Sequence, residues 1–570
     1  MSTGIEHVPS PHVTRGLTAR RWSCPSTRRS AKPDYAMTGG PPRRARLTLA
    51  LAVIAAFATP TWVSADTLTV PDDYSTIQAA IDASFDGDLI LVDPGDYEEA
   101  IDFLGKNIRV ESSDGASVTS ISTDAGSVVK FTNGESETAV LDGFTITLGV
   151  GEAVTGYVSG DAVFGDFGGG VYCLESSPSI QNCIFTLNEA SSSGGAIYAE
   201  GSTLRISDCT FTANDSGLGG AVSLHECDGA QIIRSLFNLN VVEMPGTAGA
   251  LSVFGAGLVE ISECEFTSNS AFIAAAVFVG EADLLVKGCL FDSNSDAFSG
   301  GALTVFDANV EVIESHFRSN EATIGGAVLV DVGADVLLEK TLIHDTTGSL
   351  GGAIHGSAGD ATLVIENCTL TGITSTGGAI RTAEPAAGAT GVDVTMLNCI
   401  VWECGAEPLQ IESTATVEYS DVEGGAVGLG NFDLDPEFLD ATIDDFRLLP
   451  DSPCIDTGDP MATDDDGSPR DVGAFPYRVR FVRGDVNGSG AIEALVDAIT
   501  LLDWQFYSGP APLCDDAADV DDNGEVWALI DSVALLTFGF GGAEPPPSPG
   551  VTCGFDPTDD SIDCDETPCP

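Results

Sequence analysis

The sequence predicts an all-β chain wound as a parallel solenoid and followed by a small helical module. The first sign is a period: Phe185, Phe211, Phe237, Phe266, Phe291 and Phe317, then Ile343 and Leu370, recur at intervals of 26, 26, 29, 25, 26, 26 and 27 residues. The second is that the period carries fixed companions. Asn188, Asn214, Asn240, Asn269, Asn294 and Asn320 each follow a Phe by three residues, and Gly195, Gly220, Gly249, Gly301, Gly326, Gly352 and Gly378 mark the other end of the unit. The third is composition, since 65 Gly with 7% aromatics suits a turn-rich β chain better than a helical one.

The chain opens with a different segment. Residues 1–65 hold nine of the 23 basic residues and only two acids, Glu6 and Asp34. Arg43, Arg44 and Arg46 precede an apolar run from Leu47 to Ala58 and a small-residue site ending at Ala65, the order of a secretory signal peptide. The run falls short of the ~20 apolar residues that span a bilayer. Export is therefore expected, to the outside or the surface of a bacterial cell. Met37 is the expected start, with a long leader from Met1 as the alternative. Beyond Ala65 remain 84 acidic and 14 basic residues, a net of −70. Such a surface repels nucleic acid and anionic membranes, and it suits high salt or divalent cations.

Residues 66–477 carry the repeat. Each period holds three short alternating runs, such as AIY, LRI and CTFT within residues 196–212, separated by Gly, Ser, Asn or Asp. No run is long enough for a helix, and each buries its apolar side only by stacking on its neighbours, so the units wind into a solenoid. Gly is expected at the tight corners, and Asn in left-handed backbone with its side chain bonding along the stack. Cys183, Cys209, Cys264, Cys289, Cys368 and Cys399 fall two residues before the Phe position or its equivalent, with Ser235, Ser315 and Thr341 filling the gaps. This ladder reads as small buried residues, because in-register neighbours are badly angled for disulfides.

The pairing of GGA[IVL] with FxxN resembles the repeats of polymorphic outer-membrane proteins, and the whole resembles right-handed parallel β-helix proteins of the pectin-lyase-like class. That resemblance implies a helical cap at residues 68–101, with Ile77, Ala80 and Ile81 on its apolar face, and closing coils at 434–475. It specifies a fold and leaves function open.

After Tyr477 a second duplication appears. RGDVNGSGAIEALVDAITLLDWQF from Arg483 is echoed 34 residues later by AADVDDNGEVWALIDSVALLTFGF. Calcium loops need oxygen ligands at alternating early positions, a Gly at the sharp turn and a late carboxylate on the following helix. Asp485, Asn487, Ser489 and Asp497 are the ligand candidates of the first loop, and Asp519, Asp521, Asn523 and Asp531 those of the second. A metal-free helical pair is the alternative. Residues 478–543 are similar to dockerin modules, which implies Ca2+ and a cohesin-like or other surface protein as partner. The closing acids come one residue late in both copies, and Ala494, Leu495, Ala528 and Leu529 stand where dockerins commonly contact cohesins, so a standard cohesin is doubtful. Residues 544–570 form a Pro-rich, Cys-containing tail, and outside the ladder Cys514 with Cys553 and Cys564 with Cys569 are candidate pairs of open connectivity.

No catalytic set is assigned on the rod. His344 and His355 lie on one coil beside Asp345, with Arg381 one coil beyond His355, and these are the acid/base candidates. Asp464, Asp466 and Asp471 form an acidic patch that reads as a solvated turn or a cation site. A row from Tyr172 and Tyr198 through Ser223, Ser252, Phe278, Thr304, Leu329 and His355 to Arg381 is expected to point outward, next to an insertion with Tyr157, Phe164 and Phe167. Tyr172 and Tyr198 are candidates for stacking on sugar rings. The expected function is a structural or binding protein for attachment or glycans. The alternative is a polysaccharide lyase or glycoside hydrolase on the same scaffold.

Overall fold

The computed structural model describes residues 65–551 and 564, apart from 159–160, 296, 358, 386–389, 465–466, 478–480 and 513. Residues 1–64, and with them the export leader, lie outside the described residues. A short helix, α1 (Ile77–Ala83), buries Ile77, Ala80 and Ile81 over the first coil, as the sequence predicts. Thr76 accepts the Ala79 N–H to start it, and the backbone N–H of Ser84 closes it.

From there the chain winds through three long parallel sheets of 14, 13 and 12 strands, each strand pairing with its equivalent one coil away. In one representative coil the strands are Ile197–Glu200, Arg205–Ser207 and Thr210–Thr212. The structure adds a fourth ladder that the sequence did not disclose, with strands at Asp215–Leu218, Val241–Thr247, Ala297–Ser299, Glu321–Ile324 and Thr347–Leu350. Its strands mix Ser, Thr, Gly and acids with scattered apolar residues, so no regular alternation betrays it.

Two stacks fill and fasten the interior. Phe185, Phe211, Phe237, Phe266, Phe291 and Phe317 lie ring on ring, with centroids 4.5–4.9 Å apart and planes within 9°. The six asparagines stack beside them. Each side-chain amide donates to the carbonyl of the Phe or Ile one coil back, and each except the last also donates to the next asparagine's Oδ1; that oxygen accepts the preceding asparagine's backbone N–H as well, all at 2.8–3.1 Å. All six are buried. The left-handed backbone belongs to the residue before each one, namely Leu187, Ala213, Leu239, Ser268, Ser293 and Ser319, which corrects the sequence reading. Asn is selected here for its two donors and its acceptor.

The cysteine ladder is inward, with free buried thiols. Where Ser or Thr substitutes, the hydroxyl takes over the same bond: Cys209 N–H donates to Ser235 Oγ at 3.2 Å and Cys289 N–H to Ser315 Oγ at 3.1 Å. The paired glycines divide two tasks. Gly194, Gly219, Gly300, Gly325 and Gly351 adopt φ of 63–68°, whereas at Gly195 a Cβ would stand 2.3 Å from the Gly220 carbonyl oxygen.

Replacing Asn240 by Ala removes two donors and the acceptor that Asn214 uses, leaving buried polar groups unpaired. The expected loss is about 3 kcal/mol, read as a lower denaturant midpoint by far-UV circular dichroism. Asn309→Ala, at an exposed residue, should stay within about 0.5 kcal/mol of the parent.

Candidate functional site

The C-terminal duplication folds as two loops, each leading into a 14-residue helix: α2 (Ala494–Tyr507) and, after the short α3 (Asp515–Ala518), α4 (Ala528–Gly541). Ala498, Leu501, Ala528 and Leu535 pack between the helices with Val486 and Val520, and Ser532 Oγ donates to the Ala498 carbonyl at 3.1 Å. This core holds the two loops in equivalent settings.

Each loop folds its acids inward. Asp485 accepts the N–H groups of Ser489 and Gly490 at 2.9 and 2.6 Å, and Asp519 accepts those of Asn523 and Gly524 at 3.2 and 2.7 Å. The late acids reach back despite the extra residue, because each lies in the first turn of its helix. Asp497 accepts from Asn487 and Glu493 N–H at 3.2 and 2.6 Å, and Asp531 from Val520 and Trp527 N–H at 2.9 and 2.7 Å. Asp519, Asp521 and Asp531 present carboxylate oxygens within 4.8 Å of one another. The first loop has Asn487 and Ser489 where the second has Asp521 and Asn523, so it collects less charge.

Burial pushes the carboxyls of Asp497 and Asp531 up to about 6, with neighbouring acids adding to the effect. Asp519 is raised for the same reason and partly relieved by Arg483. Arg483 is the residue sequence reasoning missed. It is fully buried, pairs with Asp522 at 2.9 Å, and donates to the carbonyls of Asp516, Asp519 and Ser548. Its counterpart in the second copy is Ala517, so the duplication offered no signal for it. The cysteine pairing also differs from the candidates: Cys514 bonds Cys564, while Cys553 and Cys569 lie outside the described residues.

Outside this core the helices are unusually apolar. Leu495, Val496, Ile499 and Phe506 on α2, and their equivalents Leu529, Ile530, Val533 and Phe540 on α4, are 47–72% exposed. The same four positions recur in both copies.

On the rod, the Tyr row stands in register as expected, Tyr172 opposite Tyr198 and His355 opposite Arg381. It is not an exposed face. Tyr198 is 4% exposed, and Ser223, Ser252, Thr304, Leu329 and His355 are equally covered. The glycine corner packs against the row: a Cβ at Gly377 would stand 3.2 Å from Arg381 Nη1, and one at Gly219 3.2 Å from Ser223 Cβ. The two tyrosine rings stack on each other at 5.9 Å and 11°, and the edge of Phe167 meets Tyr198 at 4.8 Å. Coil spacing brings the rings too close to admit a sugar between them. Tyr172, half-buried, is the member left with access; the side chains of Tyr157 and Phe164 lie outside those described.

The acid/base candidates are not assembled. His344 ends a strand of the 13-stranded sheet and His355 lies in a strand of the 12-stranded one. Burial, then Arg381, push His355 down to about 4, and Arg381 donates to Gln410 Oε1 at 2.9 Å. The acidic patch is not a solvated turn: Asp464 and Asp471 are buried, Asp464 pairs with Arg470 at 2.9 Å, and Asp471 accepts the N–H groups of Asp456 and Tyr477. Asp466 lies outside the described residues.

A family model described as the right-handed beta helix region matches residues 149–278 and 220–391. No curated protein matches the chain. Among solved structures, pectate lyase Pel9A is similar at 13% identity and a TM-score of 0.30, covering 73% of this chain and 98% of that one. The A-module of mannuronan C-5 epimerase AlgE4 from Azotobacter vinelandii is similar at 16% identity and a TM-score of 0.33, covering 63% and 95%. A family 28 exopolygalacturonase from Yersinia enterocolitica is similar at 10% identity and 0.27, covering 64% and 80%. The family model falls within the parallel sheets, whose three long ladders make this part of the chain an all-β parallel solenoid.

Proposed function

We propose that this chain is an exported attachment protein, a β-helical rod with glycan as its ligand, displayed through a calcium-dependent, dockerin-like module. The observation that carries the reading is the module's duplication of two features at once. Inward-folded acids in each loop, which in the second converge to within 4.8 Å, accompany an exposed apolar row on each helix. Calcium would neutralise the loop acids, and Asp485, Asp497, Asp519, Asp521 and Asp531 are the residues to hold it. The apolar rows suit a protein partner, cohesin-like or another surface protein, better than solvent. No helix among the described residues is long and apolar enough to cross a membrane.

The rod's ligand reading rests on Tyr172, whose ring stacks on that of Tyr198 and is half-buried. The enzyme reading, a polysaccharide lyase or glycoside hydrolase, draws on one observation: His355 adjoins Arg381 with its Nδ1 buried and unpartnered. A base in that position is covered, which favours binding over turnover.

Purified protein applied to immobilised polygalacturonate, alginate and xylan should be retained on at least one, without new reducing ends or unsaturated sugars. Tyr172→Ala should weaken retention by about 1 kcal/mol, on the scale of one partly buried aromatic ring. Turnover abolished by His355→Ala or Arg381→Ala would establish the enzyme instead.

Calcium added to the chelator-treated protein should raise the melting midpoint of the 222 nm helical signal, since a ligand of the folded form shifts the equilibrium. Asp531→Asn should reduce this shift more than Asp497→Asn, because the second loop gathers three carboxylates.

The same midpoint should depend on pH when calcium is absent. Burial holds the carboxyls of Asp497 and Asp531 up at about 6 in the folded module against an ordinary 3.8, so the folded state holds more protons between those limits and stability falls as pH rises through them. Saturating calcium, which needs the ionised acids, should flatten or reverse that fall by pH 7. A calcium-free midpoint that rises from pH 4 to 6 would contradict the burial argument.

A further inference from the structure

One position of the coil, next to the inward Phe and pointing away from the core, varies along the rod. The residue after the inward Phe-equivalent is Thr186, Thr212, Asn238, Thr267, Asp292 and Arg318 in successive coils, then His344, and the next position, left-handed throughout, holds Asp345. The closing segment reaches the same place. Strands Phe438–Asp440 and Asp445–Leu448 pair as a hairpin around a 3-10 turn that ends at Asp444, itself left-handed at φ 62°. Phe446 lays its ring 5.0 Å from that of His344.

We propose that His344, Asp345 and Asp444 form a binding site for a divalent transition ion of the Zn2+ type, clamping the closing hairpin to this coil. The three side chains offer one imidazole nitrogen and two carboxylate oxygens, all within 4.8 Å of one another. His344 Nδ1 stands 2.9 Å from Asp345 Oδ2 and 4.0 Å from Asp444 Oδ1. Those separations bracket the ~3.4 Å between tetrahedral ligands about 2.1 Å from a zinc ion. The His344 side chain is 1% exposed and its Nε2 has no hydrogen-bond partner, so only one of its ring nitrogens is satisfied and that one faces the acids. The acids are 56% and 43% exposed, which gives the ion a path from solvent. Arg318, 4.0 Å from Asp444, is neutralised at 2.7 Å by Asp292.

An imidazole selects against calcium, which prefers oxygen alone, so this site differs in chemistry from the C-terminal loops. It differs in place as well, joining residues about a hundred positions apart. Binding would stabilise the end of the solenoid, because the ligands come together only when the hairpin is seated.

The test uses the full chain, stripped by chelator and then held at millimolar calcium to saturate oxygen-only sites. Cobalt(II), the visible stand-in for zinc, should develop a ligand-field absorption that saturates at one equivalent and is displaced by zinc. His344→Gln and, separately, Asp444→Asn should weaken cobalt binding at least about tenfold. Zinc should raise the melting midpoint of the parent and not of either variant. Asp444 is exposed and its replacement isosteric, so Asp444→Asn keeps the test open if His344→Gln fails to fold. No absorption in the parent, or an absorption that Asp444→Asn leaves unchanged, would overturn the proposal.

Discussion

The rod depends on every coil presenting the same groups at the same height. Parallel strands stand about 4.8 Å apart, and that distance suits both a stacked phenyl ring and an amide-to-amide hydrogen bond. The Phe and Asn ladders exploit it together, with rings 4.5–4.9 Å apart and amide contacts of 2.8–3.1 Å. Where the copy changes, a residue of similar shape or bonding takes its place inside, as Ile343 and Leu370 follow the phenylalanines and Ser235 and Ser315 interrupt the cysteines. The 29-residue interval between Phe237 and Phe266 obeys the rule, because its extra length goes to the fourth-ladder strand Val241–Thr247 and to a turn before Leu258–Ser262.

The same constraint separates what the sequence disclosed from what it hid. Ladders of identical residues were legible because identity at a fixed period survives without coordinates, and the Phe, Asn and Cys positions all fall inside. The fourth ladder was not, since a strand such as Asp215–Leu218 begins with Asp215, Ser216 and Gly217, a composition shared with turns. The covering of the Tyr row was hidden for a related reason. Period two places Tyr198 opposite to Ile197 and Ala199 and hence away from the core, but whether another layer lies over it depends on the Gly-Gly corner.

In the C-terminal module, duplication made the loop acids legible in spite of their shifted spacing. What it could not convey was asymmetry. Arg483 has Ala517 as its counterpart, yet it ties the first loop's approach to the second loop through Asp516, Asp519 and Asp522. A buried guanidinium is tolerable only where its donors are matched, and here three carbonyls and a carboxylate match them. Nor does a sequence say whether an apolar residue on a helix finds a neighbour: Leu501 does and Ile499 does not.

The inward thiols bear on the chain's history before it is folded. The thiolate is the species that attacks, and burial holds Cys227 up to about 11 and Cys173 and Cys404 up to about 12, so these three thiols are chemically quiet in the finished rod. The unfinished one is not. If the chain is exported as proposed, it enters an oxidising space unfolded, with these same groups in water and each able to form a wrong bridge. Each coil that closes on its predecessor withdraws a thiol from that reaction. Closure of a coil thus acts as a protecting group for the thiol that it buries.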